Sequence, residues 1–394
     1  MKNVRMLILL IAILPLLVSC WGRTEVTDIA LVTAIAIDKG ENEKLLLSLQ
    51  IAVPKNLASK GATGNSSGDS ETTIVISEEG QDIMQLYREI QMKLPREVFF
   101  AHSSVLIIGE ELAEEGVSTV LDFFSRYRQP QLSSTILFAK GKASEVLNLK
   151  PQLESILAEE IREQEKRGVG IEVKVRDFLT RMLADGDEPI ASEVSSAALE
   201  KEDDSSDIVP SLSGAAVFRG DKLAGWMNAR ESRGVLWLRN DFVSGVMTVI
   251  VSDHEGGGRI GAELQKVSSK IKPTVSKDEV KIKVDSYAEL EVYENSSVYD
   301  LKDPKSIQSI KKMFENEVKD RLELTVNKAQ KEFKSDIFGF GQAVYRKNPK
   351  LWLDTYKSTW TEVFPEIEIE IASEIKVKGT GFSTKSMSLM NPKD

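Results

Sequence analysis

The chain has a single cysteine, Cys20, and it stands directly behind an apolar run from Met6 to Leu17. A disulfide framework within the chain is therefore impossible, so the fold must be held by a packed core. With only two histidines beside that cysteine, a zinc site of Cys and His ligands is nearly excluded as well. Lys2 and Arg5 open the sequence with positive charge, and the apolar run has the length of a secretory leader. It falls short of the roughly 20 residues that a spanning helix needs, and no later stretch approaches that length without charges.

Leu17-Val18-Ser19-Cys20 is similar to the lipobox of bacterial lipoproteins, where the cysteine thiol receives a diacylglyceryl group before cleavage. On this reading residues 1–19 are a lipoprotein signal peptide, Cys20 is the lipidation site, and the remainder is a folded body on a membrane tether. The formal net charge is −10, and loss of Lys2 and Arg5 with the leader makes it more negative. Duplex nucleic acid is thus an unsuitable partner, because phosphate contacts need clustered Lys and Arg. A hydrophobic share of 41% fits a globular body, and 394 residues suggest about two or three domains.

Along the chain, the apolar runs Ile29 to Ile37 and Leu45 to Val53 flank Asp38-Lys39-Gly40 and read as a hairpin. Residues 55–73, rich in Gly and Ser, read as a flexible surface loop. Thr73 to Ile76 reads as a strand, followed by a helix through about Leu94, with Ser77 or Asp82 as its cap. Ser104 to Ile108 is a further strand, Glu110 to about Arg128 a helix despite Gly116, and Ser134 to Ala139 a strand again. A short helical stretch near Glu145 and amphipathic helices over 152–167 and 174–184 complete an N-terminal α/β region, residues 20–184, which can split into two subdomains.

Residues 185–209 are dominated by Asp, Glu, Ser and Ala and are expected to form an acidic linker. They lack the ligand spacing and turn glycine of a calcium loop. The C-terminal α+β domain, residues 210–390, opens with a hairpin of Ala215 to Phe218 and Leu223 to Trp226 around Arg219-Gly220-Asp221. Phe242 to Val251, Val280 to Tyr293 and Ile367 to Val377 read as strands. Asp303-Pro304 reads as an N-cap with proline in the first turn. Behind it Ile307, Ile310, Phe314, Val318, Leu322, Val326, Ala329 and Phe333 recur at helical spacing. The expected class is α+β and multi-domain, with mixed and antiparallel sheets packed with helices and a long amphipathic helix in the C-terminal domain.

Chemical motifs are weak. Gly256-Gly257-Gly258-Arg259-Ile260-Gly261 satisfies GxGxxG by letters, but Ser252 to Glu255 separate it from the preceding strand and Pro273 soon follows, so a hairpin loop is expected. Gly64-Asn65-Ser66-Ser67-Gly68 matches a nucleophile elbow only in letters, inside a polar loop. His102, beside Phe99-Phe100-Ala101, reads as partly buried, and His254, beside the glycine loop, as exposed. Sixty-one acidic residues make a catalytic carboxylate pair easy to imagine and impossible to place. No catalytic residue, cofactor or metal site is assigned, and a binding or scaffold role is expected rather than an enzyme.

Several segments, in order, resemble the Ger(x)C family of spore germination lipoproteins, the C subunits of nutrient germinant receptors. They are Cys20-Trp21-Gly22-Arg23-Thr24-Glu25-Val26; Ala34-Ile35-Ala36-Ile37-Asp38; Ile108-Gly109-Glu110-Glu111-Leu112-Ala113; and Asp122-Phe123-Phe124-Ser125-Arg126. Ala215-Ala216-Val217-Phe218 to Gly225, Asp336-Ile337-Phe338-Gly339-Phe340-Gly341 and Trp352 follow. Gly22 stands where a polar residue is common, and Ala34 and Ala36 where glycines are often seen.

The resemblance implies a lipoprotein on the outer face of the spore inner membrane, acting with integral-membrane A and B subunits to trigger germination. It transfers no catalytic residue; only Cys20 carries over as a site. The alternative is a lipid-anchored solute-binding protein of a transporter, which would need two similar lobes around a cleft. A cell-wall hydrolase is a second alternative.

Overall fold

The computed structural model describes residues 26–54, 72–127, 129–200 and 206–379. Cys20, the Gly64–Gly68 loop and Arg128 lie outside the described residues. Strand β1 (Ile29–Lys39) returns as β2 (Leu45–Ala52) in the expected antiparallel hairpin, with Lys39 opposite Leu45. Strand β3 (Thr73–Gly80) adds to β2, and helix α1 (Ile83–Lys93) follows, its first turn capped by Asp82, which accepts from Gln85 N at 2.8 Å. Short β4 (Glu97–Phe99) lies parallel to the start of β1, and β5 (Val105–Gly109) parallel to its second half.

The helix expected from Glu110 onward is two: α2 (Glu110–Glu115) and α3 (Ser118–Arg126). Gly116 between them has φ 132°, a conformation closed to most side chains and incompatible with a continuing helix. Then come β6 (Thr135–Ala139), a single helical turn at Ala143–Val146, α4 (Leu157–Lys166) and α5 (Val175–Met182). Both of these last helices are shorter than their charged amphipathic stretches suggest.

The stretch expected to be an acidic linker is largely strand. β7 (Ile190–Glu200) pairs parallel with β6, and β8 (Ser206–Arg219) returns along it. The reason is local burial: Ile190, Ala191 and Val194 are enclosed, and the hydroxyl of Ser192 accepts the N–H of Ile171 at 2.6 Å. Strand β9 (Lys222–Met227) closes the sheet, whose order is β3-β2-β1-β5-β6-β7-β8-β9, with β4 beside β1. Strands β1, β5, β6 and β7 run parallel, and antiparallel strands flank them.

Parallel strands buried on both faces need apolar side chains in both directions. Accordingly Ile35, Ile37, Leu106, Ile108 and Phe138 face a core shared with α1, α3 and α5, while Ala34, Ala36, Ile107 and Leu137 face a smaller one with Leu157 and Ile161 of α4. A bulge between Val32 and Ala34 sets that alternation in β1.

After β9, Asn228 caps helix α6 (Ala229–Arg239) through a reciprocal capping box with Glu231. The second sheet is β10 (Gly245–Ile250), β11 (Arg259–Val275), β12 (Val280–Asn295) and β13 (Glu368–Gly379), in that order. Only the β12–β13 pair is parallel. Gly256, Gly257 and Gly258, all at positive φ, make the turn between β10 and β11, and Gly261 is already in β11. The glycine run is thus a hairpin turn and opens no helix.

Helix α7 (Pro304–Asn327) continues through one wide turn to Phe333 and lies against β13 and α6. It buries Ile310, Phe314, Val318, Leu322 and Val326, each such side chain contributing roughly 1.5–3 kcal/mol. Helix α8 (Phe340–Lys347) follows the segment joining it to α7.

Candidate functional site

Sequence segments that resemble the Ger(x)C pattern converge at two places. The first is the C-terminal end of the parallel strands. Asp38, at the end of β1, accepts from the N–H groups of Ala143 and Ser144 at 2.6 and 2.9 Å, capping that helical turn. Gly109, at the end of β5, must lack a side chain, because a Cβ there would run into the Asp38 carboxylate. Glu110 accepts from Trp226 Nε1 at 2.7 Å and from Gly141 N at 3.1 Å, and Lys140 lies over the Trp226 ring at 5.3 Å. Ligands of α/β sheets often bind at such strand ends. Here the groups are engaged with one another, and they tie β1, β5 and β9 together.

The second place is the joint between the two sheets. Lys334, at φ 52°, turns the chain out of α7. Asp336 then accepts from Phe338 N at 3.3 Å, Phe340 N at 3.0 Å, Gly341 N at 2.8 Å and Trp360 Nε1 at 2.9 Å. The loop ahead of β7 docks on this knot: Glu188 N donates to Asp336 O at 3.0 Å and Gln342 N to Gly186 O at 3.0 Å. Gly186 and Gly341 meet backbone to backbone, and a Cβ on Gly341 would sit 2.5 Å from Gly186 Cα.

Arg239, at the end of α6, is nearly buried; it donates to Asp187 Oδ1 at 2.8 Å and also to the Ile337 carbonyl. Ser335 Oγ donates to Phe218 O at 2.5 Å, and Gly220 N donates to Glu188 Oε2 at 2.7 Å. The β8–β9 turn of the first sheet is thereby bonded to both the α7–α8 segment and the loop ahead of β7.

Burial dominates the electrostatics of this joint. It pushes the Glu188 carboxyl up to about 7, against the Gly220 N–H, with the nearby Asp336 and Asp187 charges adding to the rise. Burial likewise lifts Asp336 to about 6, opposed by the Gly341, Phe340 and Trp360 donors that favour its charged form.

At the joint Asp336 accepts four N–H donors and Glu188 one, and the two histidines lie elsewhere. His102 is exposed, with its ring 6.0 Å from Phe99, and His254 sits in the Asp253–Glu255 turn. Among the described residues no group of three His, Cys, Asp or Glu side chains is placed to hold a metal.

The sequence pattern singles out Asp336 to Gly341 and Trp352 but not Gly186, Asp187, Glu188 or Arg239. Their only sequence signal is the turn-forming Gly186-Asp187-Glu188-Pro189 run.

Comparison with known proteins agrees with this layout. The family described as "Spore germination protein N-terminal domain" matches residues 22–196, and "Spore germination B3/GerAC like, C-terminal" matches residues 213–381. The two matches meet within the β7–β8 hairpin. Spore germination protein KC of Bacillus subtilis (strain 168) is 28% identical, with 95% of each chain covered. Spore germination protein YndF of the same organism is 28% identical, covering 92% of this chain and 93% of that one. Among solved structures, the crystal structure of the GerBC protein matches 87% of this chain and 96% of that one, with a TM-score of 0.56 at 19% identity, a likeness of fold. From both ends, in order and across nearly the whole described body, the chain belongs to the Ger(x)C family of spore germination proteins.

Proposed function

We propose that this protein is the lipid-anchored C subunit of a spore nutrient germinant receptor, working with integral-membrane A and B subunits on the outer face of the spore inner membrane. The observation that carries the reading is the pair of family matches, residues 22–196 and 213–381, together with relatives named as spore germination proteins over 92–95% of this chain. The tether rests on Leu17-Val18-Ser19-Cys20, the position of the chain's one cysteine. Among the described residues no helix is long and apolar enough to cross a membrane.

The role is mechanical rather than catalytic. In support of this reading, Asp336 and Glu188 at the sheet joint accept backbone and indole N–H groups that hold the neighbouring segments together. A body whose two sheets are bonded through one joint can present a fixed surface to membrane partners. In domain terms, an N-terminal α/β part and a C-terminal α+β part share the β7–β8 hairpin as their seam.

Crosslinking in spore membranes, followed by identification of the attached proteins, tests the proposal. The expected products join this chain to two integral-membrane receptor subunits. Recovery of transporter permeases or wall-synthesis enzymes in their place would overturn it.

A further inference from the structure

At the opposite end of the first sheet from Asp38 and Glu110, a polar cavity of about 340 Å³ opens beside the starts of β5 and β6. Its wall includes His102, Ser103, Gln131, Ser134, Arg162 and Lys174. The backbone frame is well bonded: Ser134 Oγ donates to Ser103 O at 2.6 Å, Gln131 Nε2 to Ala101 O at 2.6 Å, and Thr135 N to Ser104 O at 2.8 Å.

Two cations reach this wall from different elements. Lys174, just ahead of α5, donates to Thr135 Oγ1 at 2.9 Å and pairs with the exposed Glu172 at 2.7 Å. Arg162, on the exposed face of α4, makes no side-chain hydrogen bond and no ion pair among the described residues. Behind Thr135, Glu165 accepts that hydroxyl at 2.9 Å; burial lifts its carboxyl to about 7, which withdraws much of its negative charge near neutral pH.

The independent observation is Ser103. It is only 3% exposed, and its Oγ has no hydrogen-bond partner among the described residues. Leaving such a hydroxyl unmatched costs about 1–3 kcal/mol, and Ser103 is one of the residues that line the cavity, so a turn of its side chain toward a bound ligand would relieve that cost.

We infer that this cavity binds a small solute through an oxyanion, a carboxylate or a phosphate, held between the Arg162 guanidinium and the Lys174 ammonium with the Ser103 hydroxyl as a third donor. A guanidinium fork matches either oxyanion in a bidentate manner, and charge-assisted bonds of this kind are the strong ones. The inference goes beyond the receptor role and stands whether or not the chain has membrane partners.

The test is calorimetric titration of the purified full chain with inorganic phosphate and, separately, with succinate, at fixed ionic strength. Saturable binding of one or both is expected, and the pattern tells phosphate from carboxylate. Arg162→Ala should weaken it about tenfold, with Arg162→Lys recovering part of the loss, because one charge-assisted contact is removed. Arg162 lies on the surface, so unchanged thermal unfolding of these variants is the folding control. Lys174→Met should weaken binding in the same direction. Absence of saturable binding by both anions, or parental affinity in Arg162→Ala and Lys174→Met, would overturn the site.

Discussion

Asp336 gathers four N–H donors onto one buried carboxylate, so its substitution is a direct test of the joint. Asn at this position keeps the size but turns an acceptor into an NH₂ group aimed at other donors. The expected cost is about 2–4 kcal/mol in urea unfolding, since charge-assisted bonds are lost and donors are left buried. A loss under about 0.5 kcal/mol would show that the donors find other partners.

Glu188 makes a different prediction, in pH. Its folded pKa of about 7 lies above the ordinary 4.5, so between those values the folded chain holds more protons than the unfolded one. Stability therefore falls as pH rises through that window, and Glu165 and Asp336, also raised, act in the same direction. Glu188→Gln should reduce the drop in urea midpoint between about pH 5 and 8, the window set by these pKa values. A pH profile identical to the parent's would remove Glu188 from the account. Asp336 and Gly341 were legible as a motif. Gly186, Glu188 and Arg239 were not, because nothing in local spacing tells that residues as far apart in the chain as Arg239 and Ile337, 98 positions, will share one knot.

Helix α7 was legible for a physical reason: it buries a single stripe against a sheet, so its sequence shows helical periodicity and its start shows an Asp303 cap. Asp303 accepts from Ser306 N at 3.0 Å and from Lys305 N at 3.3 Å, and Asp303→Ala should cost about 1 kcal/mol. Phe314→Ala, which empties a fully buried position, should cost about 3–5 kcal/mol, and chemical denaturation of the two variants checks the ranking. If the cap variant proved the more damaging, packing of the stripe would not be the main support of this helix.

Helix α6 was not legible, and the contrast is instructive. Glu231, Ser232, Gly234, Val235, Leu236, Trp237 and Leu238 are all buried, so no polar face alternates with an apolar one, and Gly234 lowers helix propensity further. Gly234 is needed where it is, because a Cβ would collide with Thr325 of α7. The Asn228 to Glu231 capping box was the one usable signal. The acid-rich composition of 185–209 hid β7 in a similar way: its small and apolar residues are enough for a strand only because β6 and β8 supply neighbours on both sides.

The proposed anchor acts on the molecule as a whole, because it changes where the body is rather than what it is. Confining a protein to a membrane beside its partners raises their effective concentration to about the millimolar range without adding any contact, so a weak interface suffices. An anchor built from two acyl chains is needed, since one chain binds a bilayer only marginally. Residue 20 precedes the first described strand, and the two cores are built from many apolar residues of the described body. Cys20→Ala should therefore leave thermal unfolding of the purified chain unchanged while shifting it out of the spore membrane fraction and lowering nutrient-triggered germination. Loss of germination with a destabilised body would point to a folding defect instead. Full germination by a variant absent from the membrane fraction would mean that the interface with the partners is strong enough to need no tether.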